Sequence, residues 1–587
     1  MNTKMDPQLW PEVELREQLE RNRTHMDFNS ATGDSSGGMV VGSTGPFAQY
    51  CGAQALRAGG TAMDAAVVTS LAQITLCAGC WVSFAGIASV VVHDPQTGQT
   101  HSITGPFRTF KGETQAATIP HAPTPSGRTA LVPGYFAALY RAHQRFGRLS
   151  WAEVLEPAIW LCDHGIPVSD GLIGLIGMRR EVLQRLPETR EVFFPHSGNP
   201  WVKGAWFKQQ ALGRTLRQVA EHGPTYLYEG EWADAFVRQV IAEGGKVCKE
   251  DLATYQAIEG QPLCAQVYGH ELRTVPAPDN GGAVLVEGLR LMEAMNIGDP
   301  LTSGENLYWM TRILHQAAGN NVFANEVRIG DLHIAEVAKA MRVAGGAVAP
   351  SKLLAGSHSD YVVAADANGM LVAMCHSINT AMWGATGLNV GGISIPDAAS
   401  FQQGVLAQVN PGDFLPNPMN PTVVFKDGRA VLACSSVGSG LMSVTLQSVH
   451  AMLALGLDVK QAVQRPRLHG SNLQSGDSVI SGAGEKGKTR MNMTERIAEV
   501  YQKALAGGGD PRDLPLQVQL MLPLCIEDGV DGDVIKAAQA RGALLDAMPV
   551  TDRTLSRGFW GGIQRDPDTG QLMGGRTPGA SGQIVPV

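Results

Sequence analysis

The sequence predicts a mixed helix-and-sheet protein (α/β, in the α+β sense) in which β-hairpins lie inside a layered sandwich and helices cover them. Three observations point to it. DYVVAADANGMLVAMCHSI (360–378) places two apolar runs around an Asp-Ala-Asn-Gly turn, and PTVVFKDGRAVLACSS (421–436) repeats the design around Lys426-Asp427-Gly428. The runs are apolar at consecutive positions, as in strands covered on both faces. The 69 glycines and 6% aromatics suit tight turns and close backbone contacts in extensive sheet better than a helical bundle.

Taken in order, residues 5–25 have the charge density of a solvated helix, and DSSGG (34–38) reads as a flexible joint before the folded body. MVVGSTG (39–45) reads as a short buried strand, and FAQYCGAQALRAGG (47–60) as a helix stopped by Gly59 and Gly60. Thr61 with Asp64 then opens AMDAAVVTSLAQITL (62–76) as a second helix. SFAGIASVVVHDPQTGQTHSI (83–103) is a strand pair around a Pro-Gln-Thr-Gly turn. From about 130 to 345 the pattern is helical and interrupted by Pro and Gly, as in AALYRAHQRFG (137–147) and WADAFVRQVIAEGG (232–245). From Ser359 onward it turns to β.

The formal charge of -8 is spread along the chain without a basic run, which argues against a nucleic-acid partner. The first 25 residues lack the apolar core of a secretory leader, and no window approaches 18 uninterrupted apolar residues, so no membrane partner and a cytoplasmic location are expected. Of nine cysteines only Cys77 and Cys80 form a C-x-x-C pair, with no second ligand pair at zinc spacing. Buried thiols are expected there, with metal or redox use as the alternative, and no cofactor is expected.

Four segments carry more specific information: GGTAMDAAVVTSLA (59–72), SDYVVAADANGMLVAMCHSIN (359–379), NPMNPTVVFKDG (417–428), and SSVGSGLMSVTLQSV (435–449) followed by QAVQRPRLHG (461–470). In this order and spacing they resemble the gamma-glutamyltranspeptidase family, over most of the chain from Met39 onward. The resemblance implies the four-layer αββα sandwich of the N-terminal nucleophile hydrolases. It would be one domain built jointly by a large portion, 38–358, and a small portion, 359–587, after a helical extension and linker, 1–37. It also implies self-cleavage into two fragments that stay associated, with a dimer of such heterodimers as a larger assembly, and a small-molecule amide as substrate.

Counting back from Asp366, Gly369 and Asn379 puts Ser359 where the family has its nucleophilic threonine, and makes His358–Ser359 the cleavage site. A two-residue slip would promote Ser357 instead, and a strand-end serine bonded to nearby backbone is the ordinary alternative. A serine oxygen can do the threonine's work. It can attack the preceding carbonyl, pass through an ester, and leave a free α-amine whose pKa of about 7.7 to 8 suits it as base for Ser359's own hydroxyl. By the same resemblance Ser377 is a second hydroxyl near the nucleophile and Asn379 a substrate-contacting asparagine. Val437 and Gly438 stand where two glycines supply oxyanion N–H groups, with Ser439 beside them as a substrate contact.

The head-group positions depart from the family. Pro106 replaces the arginine, leaving Arg108 as a substitute; Asn417-Pro418 replaces a serine pair; Asp397 is followed by Ala398, Ala399 and Ser400. Charges left unpaired on binding an α-amino acid head would cost on the order of several kcal/mol. An acylase or amidohydrolase acting on another amide is therefore expected. The alternatives are a true γ-glutamyl hydrolase or transferase and a non-cleaving binding protein.

GAGEKGKT (482–489) also satisfies the phosphate-loop pattern. The preceding LQSGDSVIS has only Val479-Ile480 as strand material, whereas RMNMTERIAEVYQKAL (490–505) reads as a helix and LCIED (524–528) as a strand end. A solvated Gly-Lys loop is expected, with nucleotide binding as its alternative. The stretch 490–525 is longer than the family's connection and has no assigned role.

Overall fold

The computed structural model describes residues 4–23, 29–194, 201–319, 326–343, 359–380, 382–438, 440–469, 524–543, 545–548, 558–579 and 581–587. Two seven-stranded antiparallel sheets form its centre. Across the first, the strands run Ile584–Pro586, Met39–Gly42, Ser359–Ala365, Leu371–Ser377, Ile87–Asp94, Gln99–Gly105 and Ile258–Gly260. Across the second they run Ala31–Ser35, Leu572–Arg576, Phe559–Arg565, Arg429–Val437, Thr422–Lys426, His270–Thr274 and Leu263–Val267. Both portions of the chain supply strands to both sheets.

Three apolar cores separate four layers, the αββα order expected from the resemblance. Helices Pro46–Arg57, Ala62–Leu76 and Tyr135–Phe146 pack on the outer face of the first sheet, where Val362, Ala364, Val372 and Met374 are buried against them. Tyr361, Val363, Ala433 and Val437 lie between the sheets. Helices Gly281–Ala294 and Leu441–Leu453 cover the second sheet with Val424, Leu432 and Trp560. Because strand residues alternate faces, every residue of Ser359–Ala365 is buried, which is why that run reads as continuously apolar.

Local chemistry fixes the joins. Thr61 and Asp64 form the capping box, with the Thr61 N–H donating to Asp64 Oδ2 at 2.8 Å, and all fifteen residues of the helix they open are buried. Such a helix is apolar all round because the sheet lies on one side and helix Trp151–His164 on another. Asp366 closes the hairpin turn by accepting from the N–H groups of Asn368 (2.9 Å) and Met370 (3.1 Å) through Oδ1. Its Oδ2 accepts from Ala62 N (2.9 Å), so the small portion caps a helix of the large one. In the Arg-Leu-His segment, Arg467 and His469 both bond Glu527, at 2.8 and 2.9 Å. Burial would raise that carboxyl, but the bonds and charges of His469 and Arg467 outweigh it and hold it at about 2.

The strand pairs at 87–105, 359–377 and 422–437 and the helices opened at Pro46 and Ala62 match the sequence reading. Three expectations are corrected. The N-terminal extension is not simply solvated: Met5, Trp10, Leu15 and Leu19 are buried, Trp10 sits edge-on to Tyr50 at 5.5 Å, and Asn22 Oδ1 accepts from Phe47 N at 3.2 Å. Asp34 and Ser35 are not a free joint but the end of the edge strand Ala31–Ser35, with Ser35 Oγ donating to the Val587 carbonyl at 2.8 Å. Within the stretch read as helical lie strands Ile258–Gly260, Leu263–Val267 and His270–Thr274. The last two are joined by Tyr268-Gly269, both at positive φ (50° and 68°), a tight hairpin turn without the usual Asn-Gly signal. The 482–489 motif lies outside the described residues, as does 490–525 apart from its end, where Leu524–Glu527 is a strand as expected for LCIED.

Trp10→Ala is expected to lower stability by roughly 3 kcal/mol through the cavity left against Phe47 and Tyr50. A shift of the urea midpoint at unchanged slope is the measurement; no shift would mean that the extension does not hold to the body.

Candidate active site

Ser359 opens the third strand of the first sheet and pairs with Ser377, while Asp360 pairs with His376. Ser359 Oγ donates to Ser377 Oγ at 2.7 Å, and Ser377 Oγ also accepts from the Asn379 N–H at 2.9 Å. Asn379 adopts a left-handed φ of 49°, which asparagine tolerates better than most side chains. It turns the chain off the strand. Its side chain is half-buried and makes no hydrogen bond among the described residues, so the amide is available to a ligand.

Alternation sends neighbouring side chains to opposite faces. Ser359 and Tyr361 point between the sheets, and Gly561 lacks a side chain where a Cβ would lie 2.4 Å from the Tyr361 hydroxyl. Asp360 points to the helices and is fully buried. Its Oδ1 accepts from Ser43 Oγ and Thr44 Oγ1, both at 2.6 Å, and its Oδ2 from Trp81 Nε1 at 3.0 Å. Burial pushes the Asp360 carboxyl up to about 6, although the three donors oppose the shift. His376 on the same face bonds Gln73 Oε1 at 3.0 Å, and burial lowers it to about 3, so it stays neutral. Gln73 Nε2 in turn donates to the carbonyls of Thr44 (3.2 Å) and Tyr361 (3.3 Å). A polar lattice on the reverse side of the strand thus fixes where Ser359 begins.

Across the gap between sheets, Cys375 Sγ donates to the Ser436 carbonyl at 3.7 Å, bringing the end of the Ser377 strand against the end of the Val437 strand. Ser436 Oγ donates to Asn420 Oδ1 (2.9 Å) and accepts from Thr445 Oγ1 (2.6 Å). Val437 pairs with Phe559, and its side chain is fully buried among inter-sheet residues, which is how a valine is accommodated at a glycine position. Gly438 has φ 87°, a conformation that disfavours any other residue, and its carbonyl accepts from Leu441 N at 3.1 Å. The chain then enters helix Leu441–Leu453, whose N-terminal N–H groups and dipole favour negative charge.

The head-group candidates are placed differently. Arg108 is buried, and its guanidinium donates to the carbonyls of Asp251 and Thr254 (3.0 Å) and to Thr254 Oγ1 (2.9 Å). It also lies 5.4 Å from the Tyr255 ring and 5.9 Å from that of Phe414, so both terminal nitrogens are turned to the 251–254 turn while Nε is buried without a partner among the described residues. Asn417 Nδ2 donates to Asp279, and its Oδ1 accepts from Met419 N at 3.1 Å. Asp397 is fully buried and accepts from Thr380 Oγ1 (2.5 Å) and Ser400 Oγ (3.0 Å). His358 and Ser439 lie outside the described residues.

Several supporting groups were not anticipated. Asp360 was legible as a lone acid at the head of an apolar run, and Asp279 as an acid before the glycines that open a helix. Trp81 follows the Cys77–Cys80 turn, and the turn's carbonyls at Ala78 and Cys80 accept from Trp383 Nε1 (2.9 Å) and N (2.7 Å). Both thiols there are buried, and burial, then the charge of Asp360, pushes Cys77 up to about 12. Arg179 and Arg185 donate to the carbonyls of Gly384 and Thr386, so the large portion shapes the loop between Asn379 and Asp397.

The gamma-glutamyltranspeptidase family profile matches residues 48–509. The chain belongs to the gamma-glutamyltranspeptidase family. Members hydrolyse amide bonds through an N-terminal nucleophile, and this chain is an enzyme of that class. It is 26% identical to the glutathione hydrolase proenzyme of Escherichia coli (strain K12), over 81% of this chain and 90% of that protein. It is 27% identical to the acylase ACY 1 proenzyme of Pseudomonas sp. (strain SE83), over 75% and 84%. Cephalosporin acylase from Bacillus halodurans has the same fold, with a TM-score of 0.74 and 21% identity over 95% of this chain and 97% of that one.

Asp360 gives the site a pH signature. Its carboxyl titrates near 4 when unfolded and at about 6 when folded, so stability from this residue is full below about 4 and is lost as pH rises toward 6. In a Ser359→Ala background, the parent is expected to lose roughly 2 kcal/mol more between pH 4.5 and 6.5 than Asp360→Asn, by denaturant unfolding. Parallel pH curves would contradict it.

Proposed function

We propose that the chain cleaves itself between His358 and Ser359 and then hydrolyses an amide through an acyl ester on Ser359, with an acyl group other than γ-glutamyl. The observation that carries this reading is the hydrogen-bonded run from Ser359 to Ser377 to the Asn379 N–H, at the mouth of the inter-sheet gap.

In the precursor, Ser359 Oγ attacks the His358 carbonyl carbon and its proton ends on the departing Ser359 nitrogen. The C–N bond breaks, an ester forms, and water releases the His358 carboxylate. The freed α-amine then removes the Ser359 hydroxyl proton when Oγ attacks a substrate carbonyl, and passes that proton to the leaving amine. Ser377 accepts a hydrogen bond from Oγ and orients it. The N–H groups at Val437 and Gly438, backed by helix Leu441–Leu453, face the developing oxyanion. A second water resolves the ester to acid and free serine. Asn379 is the side chain offered to the acyl group.

The departure from a glutamyl head group rests on the terminal nitrogens of Arg108, the amide of Asn417 and the carboxylate of Asp397, which bond Asp251, Thr254, Asp279, Met419, Thr380 and Ser400. The second reading, a true γ-glutamyl hydrolase or transferase, is favoured by the glutathione hydrolase relatives. The two fragments are expected to stay together as a heterodimer, with a dimer of heterodimers as the larger form, which light scattering on the purified enzyme distinguishes.

Intact mass of wild-type protein should give two species whose masses meet at His358 and Ser359, and Ser359→Ala a single uncut chain. An active enzyme that remains one chain would overturn the mechanism. Ser377→Ala should lower kcat about a hundredfold with little change in KM, and Asn379→Ala should raise KM. Equal kcat/KM for a γ-glutamyl anilide and the best simple acyl anilide would return the glutamyl reading.

A further inference from the structure

Beneath the position of the family's serine pair lies a buried carboxylate that the proposed reaction does not use. Asp279 sits in the Pro-Asp-Asn-Gly-Gly turn before helix Gly281–Ala294 and is 1% exposed. Its Oδ2 accepts from Ser89 Oγ at 2.5 Å and from Thr104 Oγ1 at 2.8 Å, and its Oδ1 accepts from Asn417 Nδ2. The backbone ties the two loops as well, with Asn280 N donating to the Asn417 carbonyl at 2.9 Å.

No cation pairs with Asp279 among the described residues. The titratable side chains that feel its charge are Tyr255 and Cys375, each kept neutral by burial. Arg108 lies beyond Tyr255, committed to the 251–254 turn. Burial pushes Asp279 up to about 7, against the pull of its three donors.

Register places this cluster beside Ser377, the hydroxyl that Ser359 bonds, with Ser359 itself one strand further on. Ser377 pairs with Ile87 and Cys375 with Ser89, so Ser89 and Ser377 share a face two residues apart along the strands, roughly 7 Å. An acyl chain on Ser359 that passes Ser377 toward Asn417 therefore runs toward Asp279, which Asn417 bonds. Asn417 offers that end at most one N–H in place of the two donors of a serine pair, because its amide nitrogen is turned to Asp279 and its oxygen to Met419 N. A carboxylate there would face a second carboxylate in a closed, weakly screened space, where like charges repel strongly.

We propose that Asp279 is a specificity-determining residue: its carboxylate turns the Asn417 amide inward and excludes acyl groups with a distal carboxylate, so that the site selects neutral acyl chains. The inference deepens the reading of Ser359 as an amidase nucleophile and rests on it.

Matured wild-type enzyme should be assayed with glutaryl p-nitroanilide and with glutaramyl p-nitroanilide, its neutral isostere, from pH 5.5 to 8.5. The kcat/KM ratio should favour the neutral substrate at least about tenfold at pH 8.5 and fall toward unity at pH 5.5, where Asp279 is protonated and the glutaryl carboxylate is still charged. Titration of the catalytic amine cancels in that ratio. Asp279→Asn should give a small ratio independent of pH. A wild-type ratio that does not move with pH, or one unaltered in Asp279→Asn, overturns the proposal, and the wild-type curve decides even if the variant fails to fold. If the matured enzyme cleaves neither anilide, the proposal falls while the nucleophile, judged by fragment masses, stands; failure to mature overturns both.

Discussion

Asp360, a carboxylate buried with no cation beside it among the described residues, is the constraint about which the site is assembled. Ser43, Thr44 and Trp81 all reach it from the large portion, and it sits next to Ser359, the proposed nucleophile. Three donors to one desolvated acceptor leave little freedom of position, because breaking any of them strands a polar group in a dry interior. The other parts follow from that fixed point. The strand can pair with Ser377 in one register only, Ser377 meets both Ser359 and the Asn379 N–H, and Asn379 must then turn the chain left-handed to leave the sheet.

The head-group side obeys the opposite rule. Its polar side chains face one another: Asp397 takes Thr380 and Ser400, Asp279 takes Ser89, Thr104 and Asn417, and Arg108 takes the 251–254 turn. A site whose polar groups mostly bond one another has few left with which to hold a zwitterion, since most new contacts would require breaking an old one. On the proposed reading, the same family fold keeps the machinery for attack and alters what it attacks.

Much of this was legible in the sequence, for reasons that differ by residue. Thr61 and Asp64 signal a capping box through contacts three residues apart, and the Asp-Ala-Asn-Gly and Lys-Asp-Gly turns announce their hairpins locally. Ser359, Ser377 and Asn379 are placed together by their resemblance to the family's motif, and strand pairing turns that sequence interval into a spatial register. What local pattern could not supply was long-range. Ala31–Ser35 is a strand only because Leu572–Arg576 lies beside it, Tyr268-Gly269 forms a tight turn without its usual residues, and the burial of Trp10 depends on Phe47 and Tyr50. Arg108 read as a substitute for the head-group arginine because the turn that occupies it comes about 145 residues later, at Asp251 and Thr254.

The order of strands across the two sheets has one more consequence. Pieces from before and after residue 358 alternate five times along the hydrogen-bonded edges, so a cut at Ser359 opens the chain without opening the body. The halves are interlocked, not docked. Where an active and an inactive copy of the gene are expressed in one cell, each molecule would keep the halves it was born with, and a defective copy could neither poison nor be rescued by its neighbour through exchange of parts.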